Sequence, residues 1–107
     1  MTDNTEIDDL VLVDFDDRGD AGMIARVTFN NPEKRNALGV GGKQRFINVM
    51  TELRHDETLR ALVITGAGDK SFVGGSNLAD MRHYTPAEGH AASTKTHYAC
   101  DPVRTFP

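Results

Sequence analysis

Two short apolar segments near the start of the chain predict a β-hairpin. Residues 10–15 and 23–29 are rich in strand-forming side chains, and a polar segment with two glycines, 16–22, separates them. Pro32 lacks a backbone N–H and restricts the residue before it, so we expect the second strand to end by Asn31.

From about residue 40 the apolar positions follow the period of an amphipathic helix. Glycines cost about 1 kcal/mol each inside a helix, so Gly41 and Gly42 move the expected start of regular helix to about Lys43. The helix is predicted to run to about residue 55. Its apolar stripe consists of Phe46, Ile47, Val49, Met50 and Leu53.

The second half of the chain contains a third strand and a well-marked helix start. Residues 59–65 form an apolar run without alternation, which predicts a strand buried on both faces. Thr85, Pro86 and Glu88 have the spacing of a capping box with proline at the first helical position. That helix is expected to reach about residue 99 and to stop at Pro102.

The resulting order, two strands, a helix, a strand and a helix, indicates an α/β fold. The 107 residues suit one small domain. The last helix leads into no further element, which indicates an α/β architecture whose later strands are missing.

Composition and charge exclude several classes of protein. The first twenty residues contain eight acidic residues and one basic residue, and the other 87 are mildly basic. Residues 1–9 are therefore taken as an acidic lead before the domain at 10–107. The density of Lys and Arg is far below that of nucleic-acid binders, and no apolar run reaches membrane length. The acidic start and the single cysteine, Cys100, favour a cytoplasmic setting.

Two glycine-containing loops are candidates for chemistry. The loop at 66–71 resembles a phosphate-binding loop, but Asp69 and Ile64 stand where that motif requires glycines, so a plain turn is favoured. Gly74 and Gly75 precede a predicted helical turn at 78–83. There, backbone N–H groups can approach a carbonyl oxygen that gains negative charge, although a simple capped turn remains the alternative. Histidines at 83, 90 and 97 share a helix face and indicate no metal site.

Two segments carry a resemblance to a known family. FNNPEKRNAL at 29–38 and LVITGAGDKSFVGGSNLADM at 62–81, with one helix between them, resemble the enoyl-CoA hydratase/isomerase (crotonase) family. The resemblance covers roughly residues 10–107 and corresponds to the N-terminal part of the family's domain. It implies an α/β, crotonase-like spiral of ββα units with its later strands and helices missing.

The resemblance also implies roles for particular residues. The backbone N–H of Ser76 is expected to be one of two donors in an oxyanion hole that stabilises the enolate of an acyl-CoA thioester. Lys34, Arg35 and Ala37 are expected near the adenine and phosphate end of coenzyme A. The residues expected along the pantetheine and thioester are Gly74, Gly75, Asn77 and Leu78.

One departure from the family pattern lies within the motif, where Asn77 replaces the usual aspartate. The second oxyanion donor and the catalytic carboxylates are expected beyond Pro107. The implied activity is that of an enoyl-CoA hydratase or isomerase of fatty acid metabolism, completed by the remaining C-terminal section. CoA enters as part of the substrate without a tightly bound cofactor, and a homotrimer or hexamer is implied. The alternative is a truncated, non-catalytic fragment that binds CoA or another protein.

Overall fold

The computed structural model describes residues 9–74 and 85–107, whose strands form a three-stranded sheet. Strand β1 (Val11–Asp17) pairs antiparallel with β2 (Met23–Phe29), which confirms the predicted hairpin. Strand β2 pairs parallel with β3 (Leu59–Gly66) on its other side. The acidic lead at 1–8 and the short helical turn predicted at 78–83 lie outside the described residues.

Two helices complete the described part of the chain. Helix α1 (Val40–Arg54) provides the crossover that a parallel strand pair requires between β2 and β3. Helix α2 (Pro86–Arg104) packs against α1. The Lys95 ammonium group donates a hydrogen bond to Gln44 across this contact. Neither helix has the length and apolar content needed to cross a membrane.

The core lies between the sheet and α1. The predicted stripe on α1 is confirmed, since Phe46, Met50 and Leu53 are all buried and Met50 has no exposed surface. The Phe46 ring lies 5.2 Å from that of Phe29, at the end of β2. The buried hydrophobic residues are Val11, Ala25, Val27, Phe29, Leu38, Phe46, Val49, Met50, Leu53 and Ala99.

Helix α1 begins at Val40, three residues earlier than predicted. A Cβ atom on Gly42 would lie 3.1 Å from Cδ2 of Leu38, so the missing side chain lets the first turn pack closely on Leu38. This packing offsets the poor helix propensity of glycine, which a sequence pattern alone does not show.

Helix α2 does not stop before Pro102, contrary to the sequence prediction, and continues to Arg104. The missing N–H of Pro102 removes only one hydrogen bond near the end of the helix. The last turn is held by Asp101, whose backbone oxygen accepts hydrogen bonds from the Thr105 N–H (2.9 Å) and hydroxyl (2.8 Å). The carboxylate of Asp101 also lies 2.7 Å from the Arg104 guanidinium.

Strand β3 is not buried on both faces, and here too the sequence prediction is wrong. Within the described ranges β3 pairs with β2 alone, which makes it an edge strand. Arg60, Ala61 and Val63 are exposed, and Val63 retains 45% of its accessible surface. The exposed Ala61 and Val63 alternate with the half-buried Leu62 and Ile64, so within the described residues one face of β3 is largely uncovered.

The capping box predicted at the start of α2 is confirmed and carries a testable prediction. The Thr85 hydroxyl accepts a hydrogen bond from the Glu88 N–H (3.2 Å), and the Glu88 carboxylate accepts one from the Thr85 N–H (3.3 Å). We expect Thr85→Ala to lower the free energy of unfolding by about 1 kcal/mol in urea denaturation. Glu88→Gln keeps a side-chain acceptor and should lower it by less than half as much. Equal losses in the two variants would contradict this account.

Candidate functional site

The candidate site lies at the end of the sheet that is formed by the carboxyl ends of β2 and β3. Phe29 and Gly66 are register partners in the parallel pair, so the loops that follow them leave the sheet side by side. The Ala67 N–H donates to the Phe29 carbonyl oxygen at 2.8 Å, which extends the pairing one residue into the second loop. In open α/β sheets, ligands commonly bind next to the carboxyl ends of the strands.

The first loop is a tight, hydrogen-bonded turn. Residues Pro32–Lys34 form a 3-10 helix, and Arg35 follows with a left-handed φ of 54°. Asn36 is also left-handed, with φ 58°, and its N–H donates to the Asn31 carbonyl oxygen at 2.7 Å. Lys34 and Arg35 are exposed on this turn, so their cationic groups are available to an anion.

The side chain of Asn36 joins the two loops, a role that sequence reasoning missed. It is fully buried, and its Oδ1 accepts a hydrogen bond from the Asn31 N–H at 2.8 Å. Its Nδ2 donates to the carbonyl oxygens of Ala67 and Ser71, both at 3.0 Å. The only sequence signal was the position of Asn36 in the motif, because its partners in the second loop lie 31 and 35 residues further along the chain.

Gly74 packs directly against the first loop. A Cβ atom on Gly74 would lie 2.7 Å from the carbonyl oxygen of Arg35, closer than such contacts occur, so only glycine fits without movement. Ala37 is half-buried in the same loop, and its carbonyl oxygen accepts a hydrogen bond from the Asn31 side chain at 3.2 Å. The structure therefore brings Gly74 together with the loop of Lys34, Arg35 and Ala37.

The remaining predicted site residues lie outside the described residues. These are the predicted donor Ser76 and its neighbours Gly75, Asn77 and Leu78. Their roles remain predictions. Gly74 is the last described residue before them, and it contacts the first loop at Arg35.

A small cleft opens between the two loops. Its volume is about 240 Å³, and it is bounded on one side by Pro32 and Glu33 and on the other by the segment 67–71. Asp69 and Lys70 are exposed on this second side. The cleft therefore carries charges of both signs, and it adjoins the turn with the exposed Lys34 and Arg35.

A larger cavity of about 470 Å³ has a different character. It lies between the end of the sheet, α1 and α2, and its walls are almost wholly apolar. Lys43 lines it and is 6% exposed, and this burial lowers the pKa of its ammonium group, while Cys100 acts weakly in the opposite direction. Such walls suit apolar side chains or ligand groups and are unsuited to CoA phosphates.

Two acidic residues in or near α2 are already engaged in structural contacts. Glu88 closes the capping box, and Asp101 pairs with Arg104 at the other end of the helix. Within residues 9–74 and 85–107, no three His, Cys, Asp or Glu side chains cluster so that they could hold a metal ion.

Comparisons with known proteins give this geometry a context. The model of the family described as enoyl-CoA hydratase/isomerase matches residues 19–103. A short-chain-enoyl-CoA hydratase of Clostridium acetobutylicum is 37% identical over 68 residues, which cover 64% of this chain and 26% of that protein. A crotonyl-CoA hydratase of Syntrophomonas wolfei is 34% identical over 65 residues, covering 61% of this chain and 25% of that protein.

Solved structures show the same fold. An enoyl-CoA hydratase from Bacillus anthracis superposes with a TM-score of 0.82 at 19% identity, over 92% of this chain and 36% of that one. An enoyl-CoA hydratase from Mycobacterium smegmatis gives a TM-score of 0.80 at 25% identity, over 92% and 37%. The chain thus spans about a quarter of the length of the curated relatives and about a third of these structures. It belongs to the enoyl-CoA hydratase/isomerase family and has part of the α/β crotonase fold.

Proposed function

We propose that the chain binds the coenzyme A part of an acyl-CoA thioester and supplies one backbone donor to an oxyanion hole. Lys34 and Arg35 contact the phosphate end of CoA, and Ala37 lines the same stretch. The thioester end lies along Gly74, Gly75, Asn77 and Leu78. The Ser76 N–H donates to the thioester carbonyl oxygen.

The packing of Gly74 against Arg35 is the observation that carries this proposal. A Cβ atom on Gly74 would lie 2.7 Å from the carbonyl oxygen of Arg35, so the backbone of the turn at 31–37 touches the chain two residues before Ser76. One extended ligand can therefore meet cations at one end and the following backbone amides at the other. The family match supports an acyl-CoA as that ligand.

A backbone donor suits the reaction of this family. When a proton leaves or water adds next to a thioester, negative charge develops on the carbonyl oxygen. A fixed N–H that donates to that oxygen stabilises the transition state by about 3–4 kcal/mol. The role requires only the amide of Ser76, so its hydroxyl is dispensable.

The names of the relatives favour a short 2-enoyl thioester as substrate and hydration as the reaction. Hydration places hydroxide on the β carbon and a proton on the α carbon, and a carboxylate from the rest of the family domain moves the protons. A 3-enoyl substrate would instead undergo migration of its double bond. In this proposal the complete enzyme acts in fatty acid metabolism in the cytoplasm, as a trimer or hexamer, without a tightly bound cofactor.

The CoA part of the proposal is tested by calorimetric titration of the chain with CoA. We expect Lys34→Ala and Arg35→Gly each to weaken binding by about three- to tenfold, since each removes one exposed charge-assisted contact. Glycine is chosen at position 35 because it tolerates the left-handed backbone there. Both losses should shrink as salt is raised.

Arg54→Ala is the matched control for this titration. Arg54 is also an exposed cation, but it ends α1 five residues before β3 begins, away from the end of the sheet that forms the site. Its removal should leave the affinity for CoA unchanged. Equal weakening by all three variants would indicate a nonspecific charge effect and would overturn the assignment of Lys34 and Arg35.

A further inference from the structure

We propose that Asn36 is a positioning residue for the CoA site, whose side chain holds the cationic turn at 31–37 against the segment 67–71. The inference rests on the proposed function for its ligand and goes beyond it in assigning the geometry of the site to one buried amide. Asn36 itself touches no ligand in this account. It fixes Lys34 and Arg35 in one arrangement before CoA arrives.

The hydrogen bonds of Asn36 reach both loops at once. The Oδ1 atom holds the Asn31 N–H inside the turn at 2.8 Å. The Nδ2 group holds the Ala67 and Ser71 oxygens, at 3.0 Å each, in the other loop. Because the side chain is fully buried, water does not compete for these bonds, and losing one leaves a buried group without a partner.

The backbone of the turn depends on support of this kind. Arg35 and Asn36 are consecutive left-handed residues, a conformation that side chains other than glycine adopt at a cost. Such conformations persist when the surrounding structure determines them, and they often occur at functional positions. The buried bonds of Asn36 provide that support, so the exposed Arg35 next to it is held in place by its neighbour.

Two glycines show that the loops meet too closely to move independently. A Cβ atom on Gly66 would lie 2.8 Å from Nδ2 of Asn36, and one on Gly74 would lie 2.7 Å from the Arg35 carbonyl oxygen. A shift of the turn therefore changes the exit of β3 as well. If the amide of Asn36 were lost, the two loops would have to be ordered by the ligand itself, which lowers affinity.

The experiment uses two variants with different chemistry at the same backbone. Asn36→Asp keeps the acceptor for Asn31 but replaces the NH₂ donor with an oxygen that faces two carbonyl oxygens. Asn36→Gly removes the whole side chain, and glycine adopts the left-handed backbone without strain. This variant is used for the comparison if Asn36→Asp does not fold. Both are measured by calorimetric titration with CoA and by amide hydrogen exchange without ligand.

Asp56→Ala is the matched control. Asp56 also organises a loop, since its carboxylate accepts hydrogen bonds from the Thr58 N–H (2.9 Å) and hydroxyl (2.6 Å). That loop precedes β3, at the opposite end of the strand from Asn36. Any effect of general destabilisation on binding should appear in this variant too.

We expect both Asn36 variants to bind CoA about tenfold or more weakly, as befits the loss of buried hydrogen bonds that preorganise the site. Amide exchange should accelerate together in segments 31–37 and 67–74, while Asp56→Ala changes neither the affinity nor these segments. Unchanged affinity for CoA, or faster exchange in one segment alone, overturns the proposal. If the wild-type chain does not bind CoA, the proposed function fails, and the exchange data still decide whether Asn36 couples the loops.

Discussion

The Gly66→Ala variant is expected to lose about 3 kcal/mol of unfolding free energy, at the upper end of the cost of overpacking. A Cβ atom on Gly66 would overlap the carbonyl oxygens of Ser71 and Phe72 and lie 2.8 Å from Nδ2 of Asn36. Two of these neighbours are backbone atoms, so rotation of a flexible side chain cannot relieve the clash. The loop after β3 must move away from the turn, which also breaks the bonds of Asn36.

Gly89→Ala is the matched control for this prediction, measured by urea denaturation at constant temperature. Gly89 lies in the first part of α2, and a Cβ atom there would meet nothing within 4 Å among the described residues. Alanine should therefore stabilise the chain by up to about 1 kcal/mol through its higher helix propensity. A Gly66→Ala chain as stable as the wild type would show that the two loops do not pack as closely as described.

The Met50→Ala variant is expected to lose about 2–5 kcal/mol of unfolding free energy. Met50 lies at the centre of the α1 stripe with none of its surface exposed, between α1 and the sheet. Its truncation removes several buried atoms and leaves a cavity that the packed neighbours cannot fully close. Met50→Leu conserves the volume better and should cost less than about 1.5 kcal/mol.

Val40→Ala supplies the control on the same helix. Val40 is 46% exposed at the start of α1, so its truncation should change the unfolding free energy by less than about 0.5 kcal/mol. The unfolding free energies are compared by urea denaturation, with the same dependence of free energy on urea concentration fitted for all variants. If Met50→Ala and Val40→Ala had equal effects, Met50 would not be the centre of the core.

The features that the sequence predicted well are those encoded by near neighbours. The hairpin follows from two apolar segments around a polar turn, and the α1 stripe follows from the spacing of Phe46, Met50 and Leu53. The capping box at Thr85 involves residues only three positions apart. Each of these signals lies within a window of a few residues, so periodicity and capping rules detect it.

The features that the sequence did not predict depend on contacts between distant residues. The early start of α1 rests on Gly42 packing against Leu38, and the end of α2 rests on bonds around Asp101 that outweigh Pro102. The exposure of β3 depends on which of its two faces other elements cover. Asn36 lay inside the first motif, but its partners Ala67 and Ser71 are too far along the chain for any local rule to reveal that it joins the two loops.

The candidate site was predicted in part, through the family resemblance. Lys34, Arg35, Ala37 and Gly74 do meet at the end of the sheet. The physical reason is that the parallel strands β2 and β3 end side by side, so the loops that follow them lie next to each other. The roles of these four residues remain predictions, while the hydrogen bonds of Asn36 and the close glycine contacts explain how the two loops are held together.

The most direct test of the central claim is the amide proton resonance of Ser76 in the ¹⁵N-labelled chain, titrated with CoA and with a short-chain 2-enoyl-CoA. Both ligands carry the same phosphate end and pantetheine arm, and only the enoyl-CoA carries a thioester carbonyl oxygen. We predict that both ligands shift the resonances of Lys34 and Arg35, while only the thioester moves that of Ser76 strongly downfield. A Ser76 resonance that responds equally to both ligands, or to neither, would contradict the account.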